Sequence, residues 1–221
     1  MKHILLLGTG GTIACKHGDS GLTPLLTGDE LLSYVPAARS FCEVEAIQVL
    51  NIDSTNIHPK HWQLLCQVLE ENYDNYDGFV ICHGTDTMAY TASAVTFMLP
   101  NIDVPVVFTG SQLPLTDMLS DGPDNLRTAF AMAASGAPGV FLAFDRKVML
   151  GCRAVKVRAS GFSAFESVNA RYAALVSNRG LVVDTDVLPR RTGESKLLSD
   201  ISKEVFLLKL TPGLNLSHIH I

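Results

Sequence analysis

The chain has 221 residues, a formal net charge of −5 and an apolar fraction of 47%. That length supports one large domain or two small ones with an ample core. An acidic balance without any basic block argues against nucleic acid or an anionic membrane as partners.

Strand and helix patterns alternate from the first residues onward, which predicts βαβ units and a largely parallel sheet. Residues 4–7 read as a buried strand leading into Gly8-Thr9-Gly10-Gly11-Thr12-Ile13. This apolar run is too short for a secretory signal, and no run in the chain approaches the roughly 18 residues that cross a bilayer. The polar stretch 14–26, with Gly18 and Gly21, reads as a mobile loop over the strand ends. Thr27-Gly28-Asp29-Glu30 matches a capping box and opens a short helix that stops before Pro36. Residues 43–50 alternate as a strand and run into the polar loop Asn51-Ile52-Asp53-Ser54-Thr55-Asn56. Pro59 starts a helix with Trp62, Leu65, Cys66 and Leu69 on one face.

The next strand, 78–82, leads into His83-Gly84-Thr85-Asp86-Thr87, and a helix spans 87–99. Residues 105–108 form a strand that opens into Thr109-Gly110-Ser111-Gln112, and Asp121-Gly122-Pro123-Asp124 begins a further helix. A strand at 139–144 closes the regular run. Beyond it, 147–154 reads as a hairpin, 159–169 as a loop holding Phe162 and Phe165, and 189–200 as a polar linker. Residues 205–210 read as a fresh strand. The expected organisation is therefore a domain over 1–188, a linker over 189–203, and the first strand of a truncated second domain over 204–221.

The five cysteines (Cys15, Cys42, Cys66, Cys82 and Cys152) are scattered, with no C-x-x-C pair. They read as buried free thiols of a reducing, cytoplasmic compartment. The first glycine turn fails as a dinucleotide fingerprint, because Ile13 stands where G-x-G-x-x-G needs its last glycine. Neither a Walker phosphate loop nor a G-x-S-x-G elbow is present. The histidines form no H-E-x-x-H or other ligand cluster, so no metal is expected, and His83 reads as a hydrogen-bonded structural residue.

What remains is a set of threonines. Two turns rich in glycine and threonine follow two buried strands, and in a parallel α/β sheet such turns meet at the strands' carboxyl ends, where substrates bind. Threonine hydroxyls, an aspartate and free backbone N–H groups around one crevice suit an amide or ester attacked by a hydroxyl. A threonine needs a nearby base or polarising group to act as a nucleophile. Asp86 adjoins Thr85, and Lys156 in Arg153-Ala154-Val155-Lys156-Val157 can pair with that aspartate and take a proton from Thr85.

T-G-G-T-I after the first strand, D-S-T-N after the second and H-G-T-D-T-M-A-Y-T-A after the third together resemble the cytoplasmic L-asparaginase family. Ser120-Asp121-Gly122 and Ala164-Phe165-Glu166-Ser167-Val168-Asn169 extend the resemblance. It implies a three-layer α/β domain of flavodoxin-like type with a mainly parallel sheet, followed by the start of a smaller α/β domain. It also implies hydrolysis of L-asparagine to L-aspartate and ammonia, no cofactor, and a homo-oligomer. In that reading Thr12 is the acylated nucleophile, and Thr85, Asp86 and Lys156 form a second activating group. Ser54 and Asp86 hold the substrate's α-carboxylate and α-amino group, with Thr55, Gly11 and Gly84 completing the binding set. Backbone N–H groups near Gly11 and Thr85 form the oxyanion hole.

Many members carry a catalytic tyrosine in the loop after the first threonine. Here the matching stretch Ser20-Gly21-Leu22-Thr23-Pro24 offers Thr23 as its nearest hydroxyl. Two other readings compete: a non-catalytic N-terminal fragment or binding module, and the asparaginase-like subunit of a tRNA-dependent amidotransferase. The latter carries a domain before the first strand, for which Ile4 leaves no room.

Overall fold

The computed structural model describes residues 1–18, 21–24, 26–40, 42–202 and 204–214, with only the backbone described at 16–18 and 21–24. Strand β1 (Lys2–Gly10) is followed by a short 3-10 turn (Thr12–Ala14) and a hairpin of β2 (Cys15–Gly18) and β3 (Gly21–Pro24). The expected mobile loop over 14–26 is therefore mostly a two-stranded ribbon, closed at its base by a Leu26 N–H bond to Ala14 O of 2.9 Å. Gly18 ends β2 and Gly21 begins β3, and the polar composition that suggests a loop equally suits a hairpin.

Helix α1 (Gly28–Ser33) starts in the expected capping box: Glu30 N–H donates to Thr27 Oγ1, and Thr27 N–H donates to Glu30 Oε2 at 2.8 Å. Strand β4 (Cys42–Ile52), helix α2 (Pro59–Asn72) and strand β5 (Gly78–Cys82) follow, with Pro59 in the first turn of α2 as read. Helix α3 (Met88–Met98) packs on α2, and Trp62 Nε1–H donates to Thr91 Oγ1 across that contact at 3.0 Å. Strand β6 (Pro105–Thr109), helix α4 (Gly122–Ala133) and strand β7 (Gly139–Phe144) complete the alternating part.

Strands β4, β1, β5, β6 and β7 lie side by side in that order, all parallel. Their side chains alternate between two apolar layers, as a sheet covered on both faces requires. Ile4, Leu6, Val80 and Val107 pack with Leu31, Leu126 and Phe130 of α1 and α4. On the opposite face, Leu5, Leu7, Phe79, Ile81 and Phe108 pack with Leu65, Leu69, Met88 and Val95 of α2 and α3. The α/β three-layer expectation is met.

The segment after β7 departs from the reading. Strand β8 (Lys147–Leu150) pairs back on β7 through a turn at Asp145 and Arg146, both at positive φ, so the hairpin is β7–β8 rather than 147–154. Strand β9 (Ala154–Lys156) pairs instead with β10 (Phe165–Ser167), so part of the expected loop 159–169 is a strand. Strands β11 (Ala174–Ser177) and β12 (Gly180–Val183) extend the main sheet beyond β8, and neither was expected. Residues 204–210 pair with no strand, and Val205, Phe206 and Leu207 are exposed. A strand forms only against a partner ladder, and none lies beside them among the described residues. No helix among the described residues is long and apolar enough to cross a membrane.

At the carboxyl ends of the parallel strands the backbone itself packs tightly. Gly11 sits at φ 78, ψ 176, a region open essentially to glycine alone. A methyl group built there would lie 2.4 Å from both Cα and N of Gly84, and one at Gly110 would lie 2.3 Å from His83 O. The turns after β1, β5 and β6 are thus in backbone contact. His83, 1% exposed beneath them, donates from Nδ1 to Gly84 O at 2.8 Å, as expected of a structural histidine. Burial pushes its pKa down to about 4, against a weaker opposing pull from the Gly84 carbonyl.

Thr27→Ala removes one side of the capping box and is expected to cost about 1 kcal/mol of unfolding free energy. Gly11→Ala is expected to cost more than about 2 kcal/mol, since it adds backbone strain to a steric clash. Urea denaturation of both variants measures the order. The unfolded chain protonates His83 near its ordinary 6.5 and the folded chain only near 4. Its stabilising contribution is therefore complete above pH 6.5 and falls by about 3 kcal/mol as pH drops through that window. In His83→Gln that part of the acid-side loss is expected to vanish from a pH series of denaturation curves.

Candidate active site

The sheet delivers one polar turn from each of three neighbouring strands, β4, β1 and β5. From β1, Gly10 and Gly11 pass along β4, where Gly11 N–H donates to Ile52 O at 3.2 Å. A methyl at Gly10 would lie 2.5 Å from that same carbonyl. Thr12 opens the following 3-10 turn and is half-buried, and its hydroxyl has no hydrogen-bond partner among the described residues.

From β4, Asp53 closes an Asx-type turn by accepting from both N–H and Oγ1–H of Thr55, each at 2.8 Å. Thr55 spends its hydroxyl there and shapes the turn. The same turn buries Ser54, 4% exposed, against the second glycine turn. A methyl at Gly84 would lie 2.6 Å from Ser54 Cβ and Oγ, and Thr87 Oγ1–H donates to Ser54 O at 2.8 Å. The Ser54 backbone is thereby held with its hydroxyl beside Gly84.

From β5 come Thr85 and Asp86. Thr85 is buried, 6% exposed, whereas the Asp86 side chain is 59% exposed. Lys156 arrives from β9, where pairing with Phe165 of β10 fixes its backbone. Its ammonium donates to Thr85 Oγ1 at 2.8 Å and to Asp86 Oδ1 at 2.7 Å. The Lys156 side chain is only 15% exposed, so the shared cation sits between a wet carboxylate and a dry hydroxyl. Charge-assisted bonds of this kind are short and directional. An open cavity of about 510 Å³ runs along this pair, with Tyr90, Ser93 and Cys152 on its wall.

The residues singled out from sequence therefore divide clearly. Thr85, Asp86 and Lys156 form one hydrogen-bonded group, and Gly11, Gly84 and Ser54 form one close contact beside it, with Thr12 next in chain to Gly11. Thr23 lies on β3, its backbone paired with Lys16, and its side chain falls outside the described residues. Sequence reasoning gave Gln112 no role, yet Thr85 Oγ1–H donates to its Oε1 at 3.3 Å. The signal available was position: Gln112 follows β6, the strand beside β5.

The family described as asparaginase, N-terminal, matches residues 3–188. The L-asparaginase of Thermococcus kodakarensis is 42% identical over 214 residues, which cover 96% of this chain and 65% of that protein. L-asparaginase 1 of Escherichia coli K12 is 41% identical over 175 residues, or 76% of this chain and 51% of that one. The chain thus spans less than two thirds of the length of these relatives. Among solved structures, the thermostable T. kodakarensis L-asparaginase superposes with a TM-score of 0.90 over 98% of this chain and 66% of its own, at 42% identity. L-asparaginase I of Vibrio cholerae gives 0.86 at 37% identity, over 98% of this chain and 67% of its own. With the family's model matched across residues 3–188 and its solved structures superposing over nearly the whole chain, this chain belongs to the asparaginase family.

Proposed function

We propose that this chain carries the amidohydrolase site that converts L-asparagine to L-aspartate and ammonia through a threonine acyl-enzyme. The observation that carries the reading is the Lys156 ammonium, bridging Thr85 Oγ1 and Asp86 beside the turn that presents Thr12. A buried hydroxyl held by a cation is an acidified hydroxyl, suited to proton handling next to a second, unengaged threonine.

In this scheme Thr12 Oγ1 adds to the side-chain carbonyl carbon of asparagine. Backbone N–H groups near Gly11 and Thr85 receive the negative charge that develops on the carbonyl oxygen. The Thr12 hydroxyl proton is delivered to the amide nitrogen, the C–N bond breaks and ammonia leaves, with an aspartyl ester on Thr12. Water, oriented by Thr85, adds to the ester, and its proton returns to Thr12 Oγ1 as aspartate is released. Asp86 commits one carboxylate oxygen to Lys156, and the other has no hydrogen-bond partner among the described residues, so it is open to the substrate's α-ammonium. Ser54, buried against Gly84, is placed to bind the α-carboxylate. Thr23 remains the candidate hydroxyl of the β2–β3 ribbon.

The wider reading has separate supports. Free thiols at Cys15, Cys42, Cys66, Cys82 and Cys152 suit a reducing, cytoplasmic compartment. Exposed Tyr90 and Phe97 on α3 give a homo-oligomer an apolar face to bury. We place the domain boundary near residue 188, with 189–203 as a linker and 204–221 as the beginning of a second domain.

Thr12→Ala is expected to lower kcat for ammonia release by at least about 10³-fold while aspartate still binds. Retention of more than a tenth of the activity would remove Thr12 as nucleophile. Lys156→Met is expected to abolish turnover while the melting temperature stays within a few degrees, because its partner Asp86 is already solvated. Loss of fold and activity together would make Lys156 structural. Asparagine is expected to be preferred over glutamine, and comparable kcat/KM for both amides would overturn that choice.

A further inference from the structure

We infer that Gln112 is a positioning residue that sets the direction of the hydroxyl proton on Thr85. The inference rests on the proposed amidohydrolase reading for its consequence, but its geometry stands independently. The Gln112 side-chain amide has two N–H bonds, and both are committed: Nε2 donates to Ala159 O at 3.1 Å and to Gly161 O at 2.9 Å. Neither carbonyl can donate in return, so the amide cannot flip, and its Oε1 must be the atom that faces Thr85.

The backbone under this side chain is fixed as well. Gln112 N–H points between both carboxylate oxygens of Asp121, at 3.0 and 3.1 Å, and Leu113 N–H reaches the same carboxylate at 3.1 Å. Asn125 of α4 donates from Nδ2 to Gly110 O at 2.9 Å and to Asp121 Oδ2 at 3.0 Å. The glutamine thus stands on a turn clamped to the start of α4, and reaches across to the loop that follows β9.

The consequence falls on Thr85 Oγ1. A hydroxyl oxygen has one proton and two lone pairs. Lys156 Nζ donates to one lone pair at 2.8 Å, and Gln112 Oε1 accepts the proton at 3.3 Å. The remaining valence is a lone pair, and this is what Thr85 offers to a reacting group. Thr85 is thereby preset as a hydrogen-bond acceptor toward substrate or water, with its own O–H directed at Gln112 Oε1. Were Thr85 to turn its proton into the crevice instead, Gln112 Oε1 would face a lone pair with no hydrogen between them. The glutamine disfavours that arrangement, and so ties the loop 159–161 to the state of the second threonine.

The test pairs kinetics with an observation independent of turnover. Gln112→Met keeps the length of the side chain and removes all three hydrogen bonds, whereas Gln112→Glu keeps an acceptor for Thr85 and removes the two donors. Gln112→Met is expected to lower kcat about 100-fold with KM changed less than about threefold, as misoriented reacting groups do. Gln112→Glu is expected to keep kcat at least about tenfold above it at a similar melting temperature. Equal losses in both variants, or an unchanged kcat in Gln112→Met, would overturn the assignment. In NMR spectra of the wild-type chain, the Gln112 side-chain amide resonances are expected to shift in Thr85→Val and stay in place in Thr85→Ser. Unmoved resonances in Thr85→Val would also overturn it. A wild-type chain that releases no ammonia from asparagine defeats the functional reading alone, and the NMR comparison then decides the role of Gln112.

Discussion

The site depends on a contact between two glycines. Gly11 and Gly84 approach so closely that a methyl on Gly11 would lie 2.4 Å from its neighbour's Cα and N. The turns that carry Ser54, Thr12 and Thr85 meet at that contact. It puts the residue after Gly11, Thr12, and the residue after Gly84, Thr85, on turns from adjacent parallel strands, with Ser54 packed against the same glycine. Side chains could not make such an approach, because any Cβ would hold the two turns apart. The backbone strain at Gly11 is tolerated because both turns are anchored to the sheet, through Gly11 N–H to Ile52 O and His83 N–H to Thr109 O.

A second principle is the division between dry and wet. Thr85 and Ser54 are buried, while Asp86 is more than half exposed. Lys156 joins the two environments through one ammonium. Its bond to the carboxylate is solvated and contributes little to stability. Its bond to Thr85 lies in a lower dielectric, where a hydrogen bond polarises its acceptor more strongly. His83 shows the other use of burial. It carries no charge at neutral pH, and it supports the second turn through a single bond to the Gly84 carbonyl.

Much of the fold was legible because its signals are local. The capping box at Thr27, the proline at the start of α2 and the continuous apolar runs of β5, β6 and β7 each follow from neighbouring residues. The failures share a cause too. Strands β11 and β12 carry apolar residues on both faces and only one face is at least half-buried, so their sequence shows no alternation; β11 gains its order from β8, and the edge strand β12 from β11. The ribbon β2–β3 shows little apolar alternation. For the site, the two threonine turns were visible by composition and by their place after strands. The meeting of Thr85 with Lys156, 71 residues away in sequence, was read from the chemistry a threonine needs and then from family resemblance, not from spacing. Gln112 stayed hidden because its importance lies in two carbonyls at 159 and 161, which no side-chain pattern reveals.

In the proposed reaction the glycine contact presents Thr12 as the nucleophile while Thr85 and Lys156 manage protons. Its most direct measurement is rapid quenching of the Lys156→Met chain with asparagine, followed by mass spectrometry of its peptides. The expected product is an aspartyl ester on Thr12, formed and then held because the group that activates water is impaired. An aspartyl ester on Thr85, or ammonia released at one equivalent or more with no ester on any threonine, would contradict it.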